Sequence, residues 1–156
     1  MEAYVYHATY EINRESIEKD GLQRCHKTNW SGMYMADALF FAFTPKQAMD
    51  YCQRANGLDD KSIAENIVVF AVPVDRLDMD EVGYDYNNYC ESLSDINSLA
   101  YHKDVPPEDL KLLTHEEIDK FDESAPWFEE WEYGTDAQRQ VFENIAQTFE
   151  EEIGSR

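Results

Sequence analysis

The sequence predicts an α+β fold. Apolar and β-branched runs that favour strands are mixed with segments of helical periodicity, and the regular βαβ order of a parallel sheet is missing. The chain has 156 residues, of which 43% are apolar and 13% are aromatic. This length is sufficient for one buried core and too short for two ordinary domains. We therefore expect strands and helices to share one core.

One strand and one short helix are expected at the start of the chain. Residues 3–9 are aromatic and β-branched, which favours a strand. Asn13 is a suitable N-cap for the helix that follows, and Gly21 stands where a left-handed residue commonly ends a helix. The next segment, 23–31, is polar and locally basic, which predicts a loop.

Further strand and helix signals follow this loop. The short apolar runs 33–35 and 39–43 predict one or two strands. Thr44 and Gln47 have the spacing of a capping box, with a proline at the first helical position between them. We therefore expect a helix over 45–55.

The middle of the chain predicts a central strand and a long loop. Residues 66–74 are almost all apolar, as in a strand that is buried on both faces. Residues 75–97 are acidic and rich in tyrosine, and they predict a long loop with little regular structure. Short strands are expected at 98–102 and 111–113.

The C-terminal segment, residues 114–156, is predicted to be an acidic helical appendix. Capping boxes at Thr114/Glu117 and Thr135/Gln138 predict two helices. The second helix carries an apolar stripe at steps of four residues, which should pack on the body of the protein: Val141, Ile145, Phe149 and Ile153. The segment holds 13 acidic and three basic residues, half of the net charge. We therefore divide the chain into a core, residues 1–113, and this appendix, packed on the same domain.

The charge of the chain disfavours several kinds of partner. There are 33 acidic and 13 basic side chains, for a net charge of −20. Such a surface repels phosphate, so we expect no direct binding to a nucleic-acid backbone and favour a basic or nucleic-acid-handling protein as partner. The longest uncharged apolar run is far shorter than the roughly 20 residues of a membrane span, and no signal peptide is recognisable. We expect a soluble cytoplasmic protein without membrane contact.

The cysteines and histidines predict neither a disulfide framework nor a metal site. The three cysteines form no CxxC pair, and the four histidines show no metal-ligand spacing. Cys52 lacks a placed activating group, so we expect it to pack rather than react. The motifs GxGxxG, GxSxG and HExxH and a Walker lysine are also missing, which excludes the sites that they build.

Three motifs occur in order along the core. The first is Tyr-His-Ala-Thr at 6–9, followed by a short helix that ends in Gly-Leu at 21–22. The second is the apolar strand 39–43, followed by a helix that carries Tyr51. The third, 98–108, runs from Ser-Leu-Ala-Tyr to a Val-Pro-Pro-Glu turn. Together they resemble the ADP-ribosyltransferase superfamily, in its poly(ADP-ribose) polymerase, RNA 2′-phosphotransferase and DarT-like branches.

The resemblance implies an ADP-ribosyltransferase-like split β-sheet core with flanking helices, and a cleft that binds NAD as substrate. It assigns His7 to the nicotinamide ribose. It assigns Ala8, in place of the usual glycine, to the carboxamide, with Thr9 completing the motif. Phe40 and Tyr51 correspond to the two aromatics that sandwich the nicotinamide ring.

The catalytic position departs from the family pattern. Relatives place a glutamate at the start of a late strand, where it stabilises positive charge as nicotinamide leaves. In this sequence Ser98 stands there. The nearest acids are Glu91, the first candidate, and Asp95, the second. Either the loop before the strand supplies one of them, or the enzyme is degenerate.

Two functions from different classes follow. The first is an NAD-dependent mono-ADP-ribosyltransferase-like protein that modifies a protein or nucleic-acid acceptor. The second is a non-catalytic acidic inhibitor or adaptor on a degenerate transferase fold, which mimics nucleic acid as small phage counter-defence proteins do. His7 and the paired aromatics favour the first function, and the missing glutamate favours the second.

Overall fold

The computed structural model describes residues 3–24, 38–55, 66–86, 88–121 and 127–155. The strands in this part of the chain are β1 (Tyr4–Tyr10), β2 (Leu39–Ala42), β3 (Ile67–Pro73), β4 (Val82–Tyr84), β5 (Ser98–Tyr101) and β6 (Lys111–Leu112). The α-helices are α1 (Arg14–Asp20), α2 (Pro45–Ala55), α3 (His115–Lys120), α4 (Trp127–Glu132) and α5 (Asp136–Ser155). Because strands and helices are mixed in this order around one sheet, the α+β prediction is confirmed.

The strands form one antiparallel sheet in the order β4-β5-β2-β1-β3-β6. The strand that carries His7, β1, lies near its centre. It pairs with β3 along its whole length of seven residues. With β2 it shares a single registered pair within the described strands, Tyr6 opposite Ala42. The sheet therefore consists of two three-stranded half-sheets that are joined at one position.

Large side chains fill the face of the sheet beneath α4 and α5, here called the aromatic face. Phe43, which follows β2, stacks on Trp127 with ring centroids 4.3 Å apart, and Trp131 meets the same ring edge-on at 4.8 Å. Tyr84 of β4 meets Phe149 of α5 edge-on at 5.0 Å. Aromatic pairs in these arrangements add to the stabilisation that comes from their buried area.

Helix α5 packs on the aromatic face through the stripe expected from its sequence. Val141 and Ile145 are fully buried and Phe149 is 4% exposed, so this prediction is confirmed. The buried part of the stripe ends there, because Ile153 is 43% exposed. The acidic segment and the strands therefore share one buried cluster.

The opposite face of the sheet, beneath α2, is lined by small side chains and is here called the alanine face. Ala42 of β2, Ala71 of β3 and Ala48 of α2 are all buried in one cluster. Their small size allows the helix to pack closely on the strands. Tyr6 closes this cluster on the side of α3, where it meets Phe121 edge-on at 5.6 Å.

Helix α5 also covers the outer edge of the sheet at β4. The backbone N–H of Tyr84 donates to Thr148 Oγ1 (2.8 Å), and Asn144 Nδ2 donates to Met79 O (2.6 Å). An uncovered edge strand offers its free backbone groups to other chains. The side chains of Thr148 and Asn144 satisfy one backbone N–H of β4 and one backbone carbonyl of the turn before it from within the molecule.

Two motifs that are separate in the sequence meet in space. Gly21 ends α1 with a φ of +82°. Leu22 then forms an isolated β-bridge with Val105 through two backbone hydrogen bonds of 2.9 Å. A Cβ atom on Gly21 would lie 2.1 Å from Val105 O. A glycine is therefore required by its backbone conformation and by the close approach of the Val-Pro-Pro-Glu turn.

The two capping boxes predicted in the acidic segment are confirmed. Thr114 and Glu117 exchange both hydrogen bonds of the motif at the start of α3. At the start of α5, Gln138 N donates to Thr135 Oγ1 (3.2 Å) and Thr135 N donates to Gln138 Oε1 (2.9 Å). Both helices thus begin at the residues that the sequence indicated.

The two earlier caps differ from prediction. At α2, Thr44 Oγ1 accepts from Gln47 N (3.2 Å), but Gln47 Oε1 is buried with no partner in the described residues, so half of the capping box is missing. Asn13 occupies the N-cap position of α1, as predicted, but its side chain makes no capping bond, since Asn13 Nδ2 donates to Thr9 Oγ1 (3.0 Å) instead. A 3₁₀ turn precedes α1 and already gives Asn13 helical dihedrals, whereas an N-cap is normally extended.

Two elements lie where the sequence indicated none. Strand β4 interrupts the segment 75–97, which was predicted to be a loop, and α4 occupies most of 126–133. Both elements are short and contribute aromatic side chains to the aromatic face. The predicted strand at 33–35 lies outside the described residues, as does most of the polar loop 23–31. No helix in the described ranges combines the length and the apolar character that a membrane crossing needs.

Candidate functional site

His7 lies where β1 and β2 separate from each other. Its Nδ1 atom is 3.0 Å from Phe40 O, so the imidazole bridges the two strands next to their single registered pair. The ring also meets Phe41 edge-on, with centroids 5.8 Å apart. The side chain of His7 therefore replaces backbone pairing at the opening between the two half-sheets.

The protonation state of His7 follows from these contacts. Burial lowers its pKa from the ordinary value of 6.5, and the hydrogen bond with Phe40 O opposes this effect only in part. His7 is therefore a neutral imidazole at neutral pH. Because a carbonyl can only accept, Nδ1 carries the proton, and the lone pair of Nε2 can accept a hydrogen bond from a ligand hydroxyl.

A second group of polar side chains lies on the alanine face, where α2 meets the start of β5. We call it the polar cluster, and its members are Tyr51, Asp85, Asn88, Asn97 and Ser98. Tyr51 Oη donates to Asn97 Oδ1. Asn88 Nδ2 donates to Tyr51 Oη (2.8 Å) and to Asn97 Oδ1 (3.1 Å). Side chains from α2, from β5 and from the β4–β5 connection thus form a continuous hydrogen-bonded group.

Asp85 supplies the carboxylate of the polar cluster. It directly follows β4, next to the registered pair Tyr84–Leu99, and this position sets it beside Ser98. Ser98 Oγ donates to Asp85 Oδ2 (3.2 Å), and the two residues are only 3% and 7% exposed, respectively. No local signal in the sequence singles out Asp85, because its position depends on the pairing of β4 with β5.

The two acids expected from the sequence are exposed residues of the same connection. Glu91 and Asp95 both face solvent, and Asp95 Oδ2 accepts a hydrogen bond from Ser92 Oγ (2.9 Å). Within the described residues, Asp85 is the acid whose carboxylate is hydrogen-bonded to Ser98.

Tyr51 is a neutral phenol held at two points. Burial raises its pKa to about 12, and hydrogen bonds with Ser98 and Asn88 offset this rise only in part. Tyr51 is therefore protonated at physiological pH. The guanidinium carbon of Arg54 lies 5.2 Å from the centroid of its ring. The ring is thus fixed through its hydroxyl and covered on one face.

The residues expected to contact NAD fall into two groups. His7 belongs to the opening between the half-sheets, whereas Tyr51 and Ser98 belong to the polar cluster. Phe40 lies between the groups, because its carbonyl contacts His7 and its position in β2 sets its side chain on the face of Ser98. The ring of His7 packs instead on Phe41, whose side chain belongs to the aromatic face. Two further expected residues, Ala8 and Thr9, follow in β1.

Cys52 has the properties of a packing residue. Burial raises the pKa of its thiol to about 11, so little of the reactive thiolate exists at neutral pH. The described residues contain no group of three or more His, Cys, Asp or Glu side chains that is arranged to hold a metal ion.

Two adjoining cavities lie between β4 and α5, with volumes of ≈ 570 and ≈ 370 Å³. Four carboxylates line them and define what we call the acidic groove: Asp80, Glu81, Glu151 and Glu152. Neither cavity is lined by His7, Phe40 or Tyr51. The acidic groove is therefore a separate feature from the opening and the polar cluster.

Comparison of the chain with protein-family models, curated proteins and solved structures found no match. The transferase relationship therefore stays a prediction. A function must be inferred from the opening, the polar cluster and the acidic groove themselves.

Proposed function

We propose that this protein is an NAD-dependent mono-ADP-ribosyltransferase-like enzyme, which binds NAD between the opening at His7 and the polar cluster. The observation that carries the proposal is the hydrogen bond between Ser98 and Asp85. The resemblance calls for a carboxylate at the start of β5. Asp85 brings one to that position from the end of the adjacent strand β4.

Two properties of these residues suit a nicotinamide ribose. The neutral imidazole of His7 has an Nε2 lone pair that can accept a hydrogen bond from a ribose hydroxyl. Phe40 and Tyr51 are aromatic side chains on the alanine face and offer stacking surface to a flat ring. These properties support the role that the resemblance assigns to each residue.

The proposed reaction uses the carboxylate where charge develops. The bond between ribose C1′ and the nicotinamide nitrogen breaks, and its electron pair leaves with nicotinamide. Positive charge then develops on the ribose, and the buried carboxylate of Asp85 stabilises it. A nucleophile on a protein or nucleic-acid acceptor forms the new bond to C1′ and releases its proton to solvent.

Release of nicotinamide from NAD tests the proposal. We expect Asp85→Asn to lower the rate about a hundredfold or more, because it removes a charge that acts chiefly in the transition state, and to change NAD affinity little. Glu91→Gln and Asp95→Asn are matched controls from the same connection. Both residues are exposed, and both variants should keep a rate near that of the wild type.

Two other outcomes would contradict this assignment. If Glu91→Gln or Asp95→Asn abolishes nicotinamide release while Asp85→Asn does not, then Glu91 or Asp95, and not Asp85, supplies the carboxylate that stabilises the ribose. If the wild type binds NAD and releases no nicotinamide with any acceptor, the site is degenerate. In that case Ser98→Glu should restore slow NAD hydrolysis on a transferase-like fold, because it places a carboxylate at the family position.

The acidic groove favours a second candidate function, an acidic inhibitor or adaptor that mimics nucleic acid. Its carboxylates surround a concave surface on a protein whose net charge is −20. Such a surface attracts a basic, nucleic-acid-handling protein and repels nucleic acid itself. This function does not require catalysis and is compatible with a degenerate NAD site.

Displacement of a labelled oligonucleotide from basic DNA-binding and RNA-binding proteins tests this second candidate. The double variant Glu151→Lys/Glu152→Lys should weaken displacement, and raised salt should weaken it further. Glu143→Lys/Glu150→Lys makes the same charge change at exposed positions of α5 outside the groove. Equal losses in the two variants would show that net charge, and not the groove, governs binding.

A further inference from the structure

The hydrogen bonds of the polar cluster converge on Asn88. Its side-chain amide donates to Tyr51 Oη (2.8 Å) and to Asn97 Oδ1 (3.1 Å). Its backbone carbonyl accepts from Tyr84 Oη (2.9 Å) and, more weakly, from Cys90 Sγ (3.4 Å). One residue of the β4–β5 connection thus contacts helix α2, the start of β5 and the end of β4.

We propose that Asn88 is a positioning residue that fixes the ring of Tyr51. Its hydrogen bond holds this ring, which projects from α2, at a constant distance from the β4–β5 connection that begins at Asp85. The inference rests on the proposed function, because it concerns the same NAD site. It adds a residue that no motif in the sequence indicated and that acts through Tyr51 rather than on the ligand.

The direction of the hydrogen bonds at Tyr51 supports this role. The phenol has one proton, which it donates to Asn97, so its oxygen is free to accept from Asn88. Rotation of the ring away from this position would break both bonds at once. Only a side chain that can donate a hydrogen bond can hold the Tyr51 oxygen in this way, which an amide does and an ionised carboxylate does not.

Asn88 is itself held by the hydrophobic core. Tyr84, whose hydroxyl donates to Asn88 O, is 2% exposed and packs edge-on against Phe149 of α5. The position of Tyr51 is therefore linked through Asn88 and Tyr84 to the buried cluster beneath α5.

NMR of ¹³Cε-labelled tyrosine, recorded without ligand, tests the positioning directly. Tyr51→Phe identifies the Tyr51 signal by its loss. We expect Asn88→Ala to shift and broaden that signal, and Asn88→Asp, which keeps the size of the side chain but cannot donate, to have the same effect. Gln147→Ala removes an exposed amide from α5 and should leave the signal unchanged.

NAD affinity, measured by calorimetry on the same proteins, tests the consequence for the ligand. Asn88→Ala should weaken NAD binding about fivefold to tenfold, the effect of losing one hydrogen bond, and Tyr51→Phe, which loses the bonds with both Asn88 and Asn97, should weaken it at least as much. The double variant should bind NAD no more weakly than Tyr51→Phe alone, because Tyr51→Phe already removes the bond that Asn88 donates.

The outcomes separate this inference from the proposed function. An unchanged Tyr51 signal in both Asn88 variants would overturn the inference, whether or not NAD binds. A changed signal with unaltered NAD affinity would also overturn it, since the ring position would then be irrelevant to the ligand. If the wild type does not bind NAD while its Tyr51 signal depends on Asn88, the proposed function fails and the positioning role is supported.

Discussion

The two faces of the sheet are covered by different kinds of side chain. The aromatic face buries large rings and branched chains beneath α4 and α5, with Phe43 stacked on Trp127 and Ile145 fully buried. The alanine face buries small side chains beneath α2, and it carries the polar cluster with buried Asp85 and Ser98. Because stabilisation by apolar burial scales with area, the aromatic face contributes the larger share.

This difference separates the part of the molecule that stabilises the fold from the part that can carry chemistry. The polar groups of the alanine face stay buried because they are hydrogen-bonded to one another. A network of this kind adds little net free energy per bond, and it holds a carboxylate and two amides in fixed positions. Substitutions on the two faces test whether stability and function divide between them in this way.

Phe43→Ala should have the largest effect on stability. The substitution removes the ring that contacts both Trp127 and Trp131 and leaves a cavity, so we expect the free energy of unfolding to fall by about 3–5 kcal/mol. Urea denaturation followed by tryptophan fluorescence measures this loss. Phe40→Ala truncates a half-buried ring on the other face and should cost clearly less, so equal losses would contradict the comparison.

Ser98→Ala should have an intermediate effect. It removes the hydroxyl that donates to Asp85 while the carboxylate remains buried, and we expect a loss of about 1–3 kcal/mol. Ser94→Ala, at an exposed position in the same connection, should change stability by no more than about 0.5 kcal/mol. If Ser98→Ala destabilises as much as Phe43→Ala, the polar cluster is as important to the fold as the aromatic face.

The contribution of His7 to the free energy of unfolding should be smaller and should depend on pH. Because burial lowers its pKa below 6.5, the unfolded chain takes up a proton as the pH falls through 6.5 while the native ring stays neutral. The native state therefore loses stability over this range, and the loss continues until the pH reaches the native pKa. We expect the wild type to lose more free energy of unfolding than His7→Gln between about pH 7.5 and 5.5. A parallel pH dependence of the two proteins would show that the ring is not desolvated.

Elements with a strong local signal could be predicted from the sequence. The apolar run at 66–74 forms β3, and helix α2 covers the predicted 45–55. The stripe of α5 packs as its spacing requires, up to Phe149. Each of these signals depends on periodicity or capping within one segment, so it does not require knowledge of the neighbours.

Features that depend on distant partners could not be predicted. Strand β4 has only three residues and exists because it pairs with β5 and packs against α5. The same pairing brings Asp85 to Ser98, so the acid of the candidate site was missed together with the strand. Asn88 was missed because its role lies in contacts with Tyr51 and Asn97, which come from two other elements. His7 and Tyr51 were indicated by the family resemblance rather than by their own periodicity.

The single registered pair between β1 and β2 has a mechanical consequence. Strands β1 and β3 share seven registered pairs and β2 and β5 share four, whereas the described parts of β1 and β2 share one, Tyr6–Ala42, beside the contact of His7 with Phe40. Backbone pairing is therefore sparsest at the centre of the sheet, where the packing of α2 on β1, β2 and β3 joins the two half-sheets instead. Since His7 contacts Phe40 and Phe41 across this junction, a twist of one half-sheet against the other would shift its ring.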